Sequence, residues 1–475
     1  MFIDGEFVSA VSGATFDAIS PIDQRVLAKV AAGDSHDVDK AVAAAKRTFE
    51  NGVWRDLNPR DKKTIMLKWA DLIREHYEEI ALLETLEVGK PIGDTSGYDA
   101  LAVARVIQWY GEAIDKRYDE IAPAPTNSLA MITREPLGVI GAIVPWNYPI
   151  VIASWKIGPA LAMGNSMVLK PSEESSLAIL RIAQLGIEAG IPKGVFNVVT
   201  GLGDQAGQAL ARHMDVAKIA FTGSGPVGKK MLQYAAESNL KQVALELGGK
   251  SPQVVLDDVV DLDKAASTIA WGIYYNSGQT CNAGSRVIVH ESIKAALTAK
   301  LAEFVGNFKV GDPLDPTTQM GPVVSLKQRD RVNSYLELVG DTGEKFIFGG
   351  KKPSGNDCYF EPTLIDGVKH DSRLVQEEIF GPVIVIETFK TDAEALALAN
   401  GTNYGLAASV WSGNISRAHN FAKKLRAGTV WINTFDMSDV ITPFGGFNGS
   451  GSGRDKSLHA LDGYSALKTT WVDLS

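Results

Sequence analysis

Cys281 is the side chain in this sequence that is best suited to nucleophilic attack. It is one of two cysteines among 475 residues, and small or polar residues surround it in the stretch 276–285. A thiol that a substrate can reach can ionise and attack an electrophilic carbon. A lone cysteine can equally serve as a small hydrophobic side chain. The choice between these interpretations depends on which other reactive groups fold beside it.

Glu246 and Asn147 are candidates for the groups that such a nucleophile needs. Glu246 lies between two leucines, and apolar neighbours raise the pKa of a carboxyl group, so that it can act as a base near neutral pH. Asn147 lies between Pro145 and Pro149, and an amide held in a stiff loop can stabilise an oxyanion. The alternatives are an acid that merely stabilises a turn and an aromatic loop that only packs.

Two glycine-rich or charged segments are candidates for binding a dinucleotide. Gly223, Gly225 and Gly228 separate a predicted strand from a predicted helix, as in a dinucleotide fingerprint. A helix start of this kind attracts a pyrophosphate. Lys170 and Glu173 follow another predicted strand, where the carboxylate could bind both ribose hydroxyls and repel the extra phosphate of NADP. The alternatives are a plain glycine-rich turn and two solvated charges.

Composition restricts the class of protein. The 50.9 kDa chain is 45% apolar and 22% charged, with a mean hydropathy of -0.01, which is typical of a soluble enzyme with more than one lobe. A net charge of -9 argues against nucleic-acid and anionic-membrane partners. Two cysteines cannot form a disulfide framework, and residues 1–6 have no leader pattern. These features predict a cytoplasmic protein without a membrane span.

The hydrophobic pattern predicts the elements that position these groups. A helix is expected over 38–49 and one long helix from Asn58 to Gly89. Alternating strands and helices follow, which predicts a doubly wound parallel sheet that binds ligands at the carboxyl ends of its strands. The predicted strands are 139–144, 167–169, 195–199 and 219–221, then 287–289, 384–386, 409–411 and 429–432 in a second α/β lobe. Peripheral strands are expected at 128–133 and 466–472, with edges that a partner subunit could cover.

Seven segments in this order resemble the NAD(P)-dependent aldehyde dehydrogenase superfamily across essentially the whole chain. They are 145–149, 170–173, 221–228, 245–252, 278–281, 378–382 and 443–454. The resemblance implies an α/β fold with three parts. They are a parallel-sheet NAD-binding domain (1–117 and 137–247), a catalytic domain (248–448) and an oligomerisation β-arm (118–136 and 449–475).

The resemblance also implies a mechanism and a set of site residues. Cys281 would attack the aldehyde carbon, the Asn147 amide and the Cys281 N–H would hold the oxyanion, and Glu246 would activate the water that hydrolyses the thioester. This assignment replaces the ribose-binding role that the fingerprint spacing would give Glu246. The predicted catalytic set is Cys281, Glu246, Asn147 and Lys170. The predicted NAD-binding residues are Val144, Pro145, Trp146, Lys170, Ser172, Glu173, Gly203, Phe221, Thr222, Gly223, Ser224, Val227, Leu247, Gln328, Glu378 and Phe380.

The stretches 109–116 and 453–461 resemble bacterial aminoaldehyde dehydrogenases of polyamine catabolism, especially the gamma-glutamyl-gamma-aminobutyraldehyde type. This implies an ω-amino or amidated C4 aldehyde. NAD is predicted over NADP because Glu173 would repel a phosphate on the ribose. The predicted substrate pocket is Tyr148, Trp155, Thr280, Asp436, Asp439 and Phe444, with the aspartates facing the amine. Neutral aliphatic or aromatic aldehydes are the alternative substrates. A non-catalytic structural or binding homologue is a remote alternative, because nucleophile, amide and base are all present.

Several positions depart from the family pattern. Gly225 stands where Thr is common, Asn448 where Lys is common, and Asp455 where Glu is common. The first could change the grip on pyrophosphate, and the second concerns subunit contacts. Cys358 has no role in the resemblance. A homo-oligomer, tetramer or dimer, is expected, and no metal site.

Overall fold

The computed structural model describes residues 1–341, 343–355 and 357–475. Two seven-stranded sheets, a three-stranded sheet and a two-stranded sheet hold the strands together. The helices are α1 (Ser35–Glu50), α2 (Pro59–Glu75), α3 (Tyr77–Val88), α4 (Ile92–Asp94), α5 (Ala100–Ala113), α6 (Pro149–Ala162), α7 (Leu177–Ala189), α8 (Gln208–Arg212), α9 (Gly225–Ala236), α10 (Leu262–Tyr274), α11 (Lys294–Gly306), α12 (Leu326–Leu336), α13 (Arg373–Gln376), α14 (Asp392–Asn400), α15 (Ile415–Ala422) and α16 (His459–Asp462).

The strands follow the chain in a similar way. They are β1 (Phe2–Ile3), β2 (Glu6–Phe7), β3 (Thr15–Ile19), β4 (Val26–Ala31), β5 (Glu120–Ala122), β6 (Ser128–Pro136), β7 (Val139–Ile143), β8 (Ser166–Lys170), β9 (Phe196–Val198), β10 (Val216–Thr222), β11 (Gln242–Glu246), β12 (Pro252–Val255), β13 (Arg286–His290), β14 (Lys345–Phe348), β15 (Thr363–Asp366), β16 (Val383–Phe389), β17 (Ala407–Trp411), β18 (Thr429–Ile432) and β19 (Ser465–Asp473).

The first sheet has the order β11-β10-β7-β8-β9-β1-β2. Its first five strands in this order, from β11 to β9, run parallel. Side chains of β7 alternate between two apolar cores: Ile140 and Ala142 pack into one, and Val139 and Ile143 into the other. This alternation buries both faces of the sheet under helices. The prediction of a doubly wound parallel sheet is confirmed. The pairing of Phe2 with Val198, which adds the chain start to the far edge, was not predicted from the sequence.

The second sheet has the order β14-β15-β16-β13-β12-β17-β18, and its strands are parallel except for β14. All four strands predicted for the second lobe are present in it. This confirms a second α/β layer.

The prediction of one long helix from Asn58 to Gly89 is wrong. Two helices, α2 and α3, meet at His76, which has φ -106° and ψ 18° and so leaves the helical conformation. Hydrophobic spacing could not reveal the break, because Ile73 before it and Ile80 after it are buried in the same core.

The two predicted peripheral strands pair with each other. Nine residue pairs join β19 to β6 in antiparallel register, and β5 extends the sheet beyond β6. A partner subunit is therefore not needed to pair β6, which is paired on both sides within the chain, whereas a partner at the outer edge of β19 stays a prediction. The outer edge of β19 has no strand beside it among the described residues. Within the same residues, no helix is both long enough and apolar enough to cross a membrane.

The two large sheets present opposite strand ends to one region. The strands β8, β7, β10 and β11 end side by side, since Ile143 pairs with Lys170 and with Phe221, and Thr222 pairs with Glu246. The chain then crosses at 247–251 into β12 of the second sheet. Cys281 precedes the start of β13. The carboxyl ends of the first sheet and the amino ends of the second therefore supply the candidate site together.

Candidate active site

The turn before Cys281 has an uncommon backbone conformation. Asn276, Ser277 and Gly278 have φ values of 47°, 56° and 70°, all left-handed. Such conformations cost about 1–3 kcal/mol for each non-glycine residue and persist only when the surroundings impose them. A side chain at Gly278 is excluded, because its Cβ would lie 2.1 Å from the carbonyl oxygen of Gly381. The turn is thus forced by its packing against the segment that precedes β16.

Hydrogen bonds from its own side chains hold this turn. Asn276 Nδ2 donates to the Asn147 carbonyl at 3.1 Å, and Ser277 Oγ donates to the Gly321 carbonyl at 2.8 Å. The Val324 N–H donates to Gln279 Oε1 at 2.9 Å. Since these partners come from separate parts of the chain, the thiol that follows is held in a fixed position.

The loop that carries Asn147 is fastened to the same turn. Asn147 is 3% exposed, and its Nδ2 donates to the Gln279 carbonyl at 2.9 Å. The next residue, Tyr148, has its hydroxyl 3.4 Å from Thr280 Oγ1. An amide from the first sheet and the cysteine turn from the second lobe are therefore joined directly, two residues before Cys281.

Glu246 ends β11 in a buried position with no hydrogen-bond partner among the described residues for either carboxylate oxygen. Burial raises the pKa of this carboxyl well above its usual range, and the nearby Asp455 raises it further, whereas Lys156 and Arg454 lower it. Lys156 itself donates to the buried Asp455 carboxylate. Free lone pairs and a raised pKa are the properties of a carboxyl that can exchange a proton with a water molecule near neutral pH.

The Cys281 thiol lies close enough to three carboxylates for their charges to affect its pKa. Burial raises the pKa of the Cys281 thiol well above its ordinary value. The carboxylates of Glu378, Glu246 and Asp436 raise it further, and the Asn282 N–H opposes them. In this environment the resting sulfur is a thiol, so that nucleophilic attack requires a base to take its proton.

The carboxyl end of β8 carries Lys170, whose side chain is only 3% exposed and whose Nζ lies 3.5 Å from Glu173 Oε2. Burial lowers the pKa of Lys170, and Glu173 partly restores it. Glu173 is 41% exposed, so that its carboxylate can meet a ligand. Gly203 begins a turn of π-helix, Gly203–Gly207, whose last residue lies against Lys170. This corner has the charged groups and the small residues that a ribose site requires.

The next strand end leads into α9. Thr222 ends β10, and its buried Oγ1 has no partner among the described residues. Ser224 is the N-cap of α9. Gly228 lies against Leu247, since a Cβ there would be 2.7 Å from Leu247 Cδ2. A Cβ at Gly225 would meet nothing within 4 Å, so this departure from the family pattern opens space at the start of α9.

Glu378 and Phe380 lie on the segment before β16. Glu378 Oε1 accepts from the Gly249 N–H at 3.0 Å, and burial raises the pKa of this carboxyl to about 7. Phe380 has φ 64° and contacts Trp146 edge-on with ring centroids 5.3 Å apart. Gln328 Nε2 donates to the Phe380 carbonyl at 2.7 Å. Glu378 and Phe380 thus face the crossing between the sheets and the aromatic loop of the first sheet.

The remaining predicted cofactor residues lie in the same region by position. Val144 and Pro145 follow β7, Ser172 follows β8, Phe221 and Gly223 flank the end of β10, and Val227 lies in the first turn of α9. Val227 is 38% exposed.

A cavity of about 280 Å³ reaches Cys281. Its wall is formed by Lys90, Asp94, Tyr98, Asp99, Tyr148, Val151, Ile152, Trp155, Tyr275, Thr280, Cys281, Asn282, Asp436, Ser438 and Phe444. Five of the predicted pocket residues are in this wall. Asp439 is not: it is exposed, and its carboxylate accepts the Ile441 N–H at 3.0 Å.

A family model described as the aldehyde dehydrogenase family matches residues 7–470. The chain belongs to the aldehyde dehydrogenase family. The NADP/NAD-dependent aldehyde dehydrogenase PuuC of Escherichia coli (strain K12) is 48% identical over 474 residues, which cover 100% of this chain and 95% of that protein.

Solved structures resemble this aldehyde dehydrogenase over its whole length. The crystal structure of gamma-glutamyl-gamma-aminobutyraldehyde dehydrogenase from Burkholderia cenocepacia J2315 is 53% identical with a TM-score of 0.97 and covers 100% of this chain and 96% of that one. The crystal structure of an indole-3-acetaldehyde dehydrogenase with NAD+ is 51% identical with a TM-score of 0.98 and the same coverage. The predicted fold class is confirmed.

Sequence reasoning missed part of the site of this aldehyde dehydrogenase. Lys90, Asp94 and Tyr98 belong to the cavity wall although they precede the first predicted strand of the sheet. The buried pair of Lys156 and Asp455 lies behind Glu246. The signal that could have identified Lys156 is its position within α6, because a lysine among buried apolar residues requires a partner.

Proposed function

We propose that this aldehyde dehydrogenase oxidises aminoaldehydes to the corresponding carboxylic acids with NAD. The observation that carries the proposal is the cavity that ends at Cys281. The Asn147 amide is bonded to the turn two residues before Cys281, and the Glu246 carboxyl is close enough to raise the pKa of the thiol. A nucleophile, an oxyanion donor and a base around one cavity are the groups that acyl chemistry through sulfur requires.

The Cys281 thiol gives its proton to solvent water as its sulfur forms a bond to the aldehyde carbon, and the carbonyl oxygen gains the negative charge. The Asn147 amide and the Cys281 backbone N–H donate to this oxygen. NAD, when bound, supplies the acceptor for the hydride that leaves the thiohemiacetal carbon. Loss of the hydride re-forms the carbonyl group as a thioester of Cys281. Glu246 then takes a proton from the water that attacks this thioester, the C–S bond breaks and the carboxylic acid departs. The proton held by Glu246 returns to the Cys281 thiolate, which restores the enzyme.

Three features support a fit to NAD. The buried Thr222 Oγ1 has no partner among the described residues, at the strand end that leads into α9. The first N–H groups of α9 can bind a pyrophosphate. Lys170 and Glu173 would hold the adenosine ribose, and Glu378 would hold the nicotinamide ribose with Phe380 beside the ring.

We infer a preference for NAD over NADP from Glu173, whose carboxylate would repel a phosphate on the adenosine ribose. PuuC carries both cofactors in its name, so the preference is expected to be one of degree.

The charges of the cavity support an aminoaldehyde. Its wall holds the carboxylates of Asp94, Asp99 and Asp436 and the ammonium of Lys90, and the Lys456 ammonium lies 5.3 Å from the centroid of the Trp155 ring in the same wall. An excess of acid in a partly apolar cavity favours a cationic substrate over a neutral one. The neighbour from Burkholderia cenocepacia acts on an aldehyde of this class by its name.

An aromatic aldehyde is the second candidate substrate. Trp155 and Phe444 pack with ring centroids 5.2 Å apart, and both lie in the cavity wall with three tyrosines. Such a wall can hold an aromatic ring. The indole-3-acetaldehyde dehydrogenase neighbour has an aromatic substrate in its name.

A panel of aldehydes tests the proposal. The ratio kcat/KM is measured by NADH formation with 4-aminobutanal, its glutamylated form, pentanal, benzaldehyde and indole-3-acetaldehyde. We expect the two amine-derived aldehydes to exceed pentanal by about tenfold, the value of one charge-assisted hydrogen bond. A higher kcat/KM for the aromatic aldehydes would contradict the aminoaldehyde proposal and favour the second candidate.

We also propose that the enzyme acts in the cytoplasm as a homo-oligomer, tetramer or dimer, with the division into the three parts given above. The reducing conditions there suit an enzyme with a free thiol at its centre.

A further inference from the structure

Asp94 lies in a part of the cavity wall that the sequence did not indicate. It ends the short helix α4 and is followed by a turn of π-helix, Thr95–Asp99. Asp94, Tyr98 and Asp99 all line the cavity that reaches Cys281. Tyr98 is 46% exposed, so this part of the wall lies toward the opening.

The other two carboxylates of the cavity wall, Asp99 and Asp436, already have hydrogen-bond partners within the protein. Asp99 accepts a hydrogen bond from Lys90. Asp436 accepts from the Tyr275 hydroxyl and from Asn282 Nδ2, each at 2.6 Å. The carboxylate of Asp436 therefore positions the residue next to the nucleophile and has little capacity for a substrate amine.

The Lys90 ammonium in the cavity wall also has partners within the protein. Lys90 Nζ donates to Asp99, lies 3.4 Å from Glu84 Oε1 and sits 3.6 Å above the Tyr148 ring. Its side chain is 1% exposed. It is enclosed by its own partners, and it forms no ion pair with Asp94.

Asp94 is different from its neighbours. Among residues 1–341, 343–355 and 357–475, its carboxylate has neither a hydrogen bond nor an ion pair. A half-buried carboxylate in a cavity wall is stabilised by a cation that enters the cavity. The amine contact that the sequence analysis assigned to Asp436 and Asp439 thus has a better candidate, because the first is occupied and the second lies outside the wall.

We propose that Asp94 is the specificity-determining residue that binds the ammonium group of the aldehyde substrate. This inference rests on the proposed aminoaldehyde function. Tyr98, four residues further along, also lines the cavity, and the Arg105 guanidinium lies 5.5 Å from the centroid of its ring. The carbonyl end of the substrate then points into the cavity toward Cys281.

The charge state of Asp94 suits this role in a standard assay. Burial raises its pKa to about 6, with Lys90 lowering it and Asp99 raising it. At pH 8 the carboxyl is ionised. A primary alkylamine keeps its proton there, since its pKa is about 10.

The test compares two substrates of the same shape that differ in charge, 4-aminobutanal and pentanal. For the wild-type enzyme and for Asp94→Asn, Asp94→Glu and Asp439→Asn, the ratio of the two kcat/KM values is measured at pH 8. We expect Asp94→Asn to lower this ratio by about tenfold through a higher KM for 4-aminobutanal. Asp94→Glu, which keeps the charge, should retain most of the ratio.

The exposed Asp439 is the matched control, since it is an aspartate near the opening but outside the wall. Its Asn variant should keep the wild-type ratio within about twofold, as expected for a screened surface charge. The proposal that Asp94 binds the amine is overturned if the wild type prefers 4-aminobutanal and Asp94→Asn shows the same ratio of kcat/KM values. If the wild type shows no preference at all, the aminoaldehyde function itself fails, and the role of Asp94 with it.

Discussion

At the scale of single residues, the site combines a protonated thiol with a carboxyl of raised pKa. Burial and the surrounding carboxylates keep the Cys281 sulfur protonated. Glu246 has both oxygens free of partners among the described residues. The thiol must give up its proton for the attack on the aldehyde, and Glu246 can take a proton from water in the later hydrolysis.

Glu246→Gln separates the two halves of the proposed reaction. Glutamine has nearly the same shape but cannot take a proton from water, so the thioester should form and then persist. We expect a rapid burst of NADH followed by steady turnover about a hundredfold or more slower than wild type. Stopped-flow absorbance at the NADH band measures both phases.

Cys281→Ala is the control for this experiment and should show neither burst nor turnover. A Glu246→Gln enzyme that turns over at the wild-type rate would exclude Glu246 as the base. A burst that survives in Cys281→Ala would exclude the sulfur as the nucleophile.

The sequence indicated these residues but not their surroundings. Cys281, Asn147 and Glu246 stood out because small residues, prolines and leucines around them are unusual contexts for such side chains. The left-handed turn at Asn276 and Ser277 did not stand out, because the partners that impose it are up to 129 residues away along the chain. Asp94 was overlooked for a similar reason, as only the tertiary fold reveals that its neighbours are already paired.

At the scale of elements, one buried carboxylate positions the loop that carries the proposed ribose site. Glu87, near the end of α3, accepts the backbone N–H groups of Ser176, Leu177 and Ala178 at 2.7, 2.7 and 3.2 Å. These are free donors at the start of α7, and a negative charge there also matches the helix dipole. Glu87 thereby fixes the end of the loop that begins at Lys170.

Glu87→Ala should leave these three buried donors without partners. We expect the free energy of unfolding to fall by about 3 kcal/mol, and the KM for NAD to rise because the loop after β8 loosens. Urea unfolding followed by tryptophan fluorescence measures the first effect, and initial rates against NAD concentration measure the second.

Glu79→Ala on the same helix is the matched control. Glu79 forms an exposed ion pair with Arg181 of α7, which is worth at most about 1 kcal/mol. Equal losses in the two variants would show that the Glu87 contacts have no special role.

Elements with a strong hydrophobic pattern were predicted better than a break within a helix or a short strand added at the edge of a sheet. The parallel strands were identified because both faces are apolar and glycines bound them. The break at His76 and the strand at Phe2 were not identified. The first interrupts a continuous apolar stripe, and the second is two residues long and depends on pairing with β9.

At the scale of the whole molecule, β19 presents apolar side chains to solvent. Leu467 is 67% and Trp471 is 63% exposed, and alternation places them on the same face of the strand. Two exposed apolar side chains of this size on one face of a strand are typical of a surface that another subunit covers. This supports the proposed homo-oligomer.

Trp471→Asp should place a charge in that interface and shift the protein to a smaller species. Size-exclusion chromatography with light scattering measures the mass at micromolar concentration. Thr470→Asp is the control, since it adds the same charge to the opposite face of the strand. A wild-type mass in the Trp471→Asp variant would contradict the use of this face for assembly.

The crossing at 247–251 and the cavity wall constrain the sequence differently, and this bears on how the substrate specificity of such an enzyme can change while its chemistry is kept. Gly248 has no room for a side chain because Glu378 lies against it, and Gly249 is confined by the Cys281 carbonyl. A side chain at position 248 would displace the Glu378 carboxylate, and one at position 249 would push against the backbone of Cys281. The cavity wall comes instead from the four stretches 90–99, 148–155, 275–282 and 436–444, which are distant along the chain. We therefore expect substitutions at positions 94 and 98 of the wall to change which aldehyde is preferred while Gly248 and Gly249 are kept.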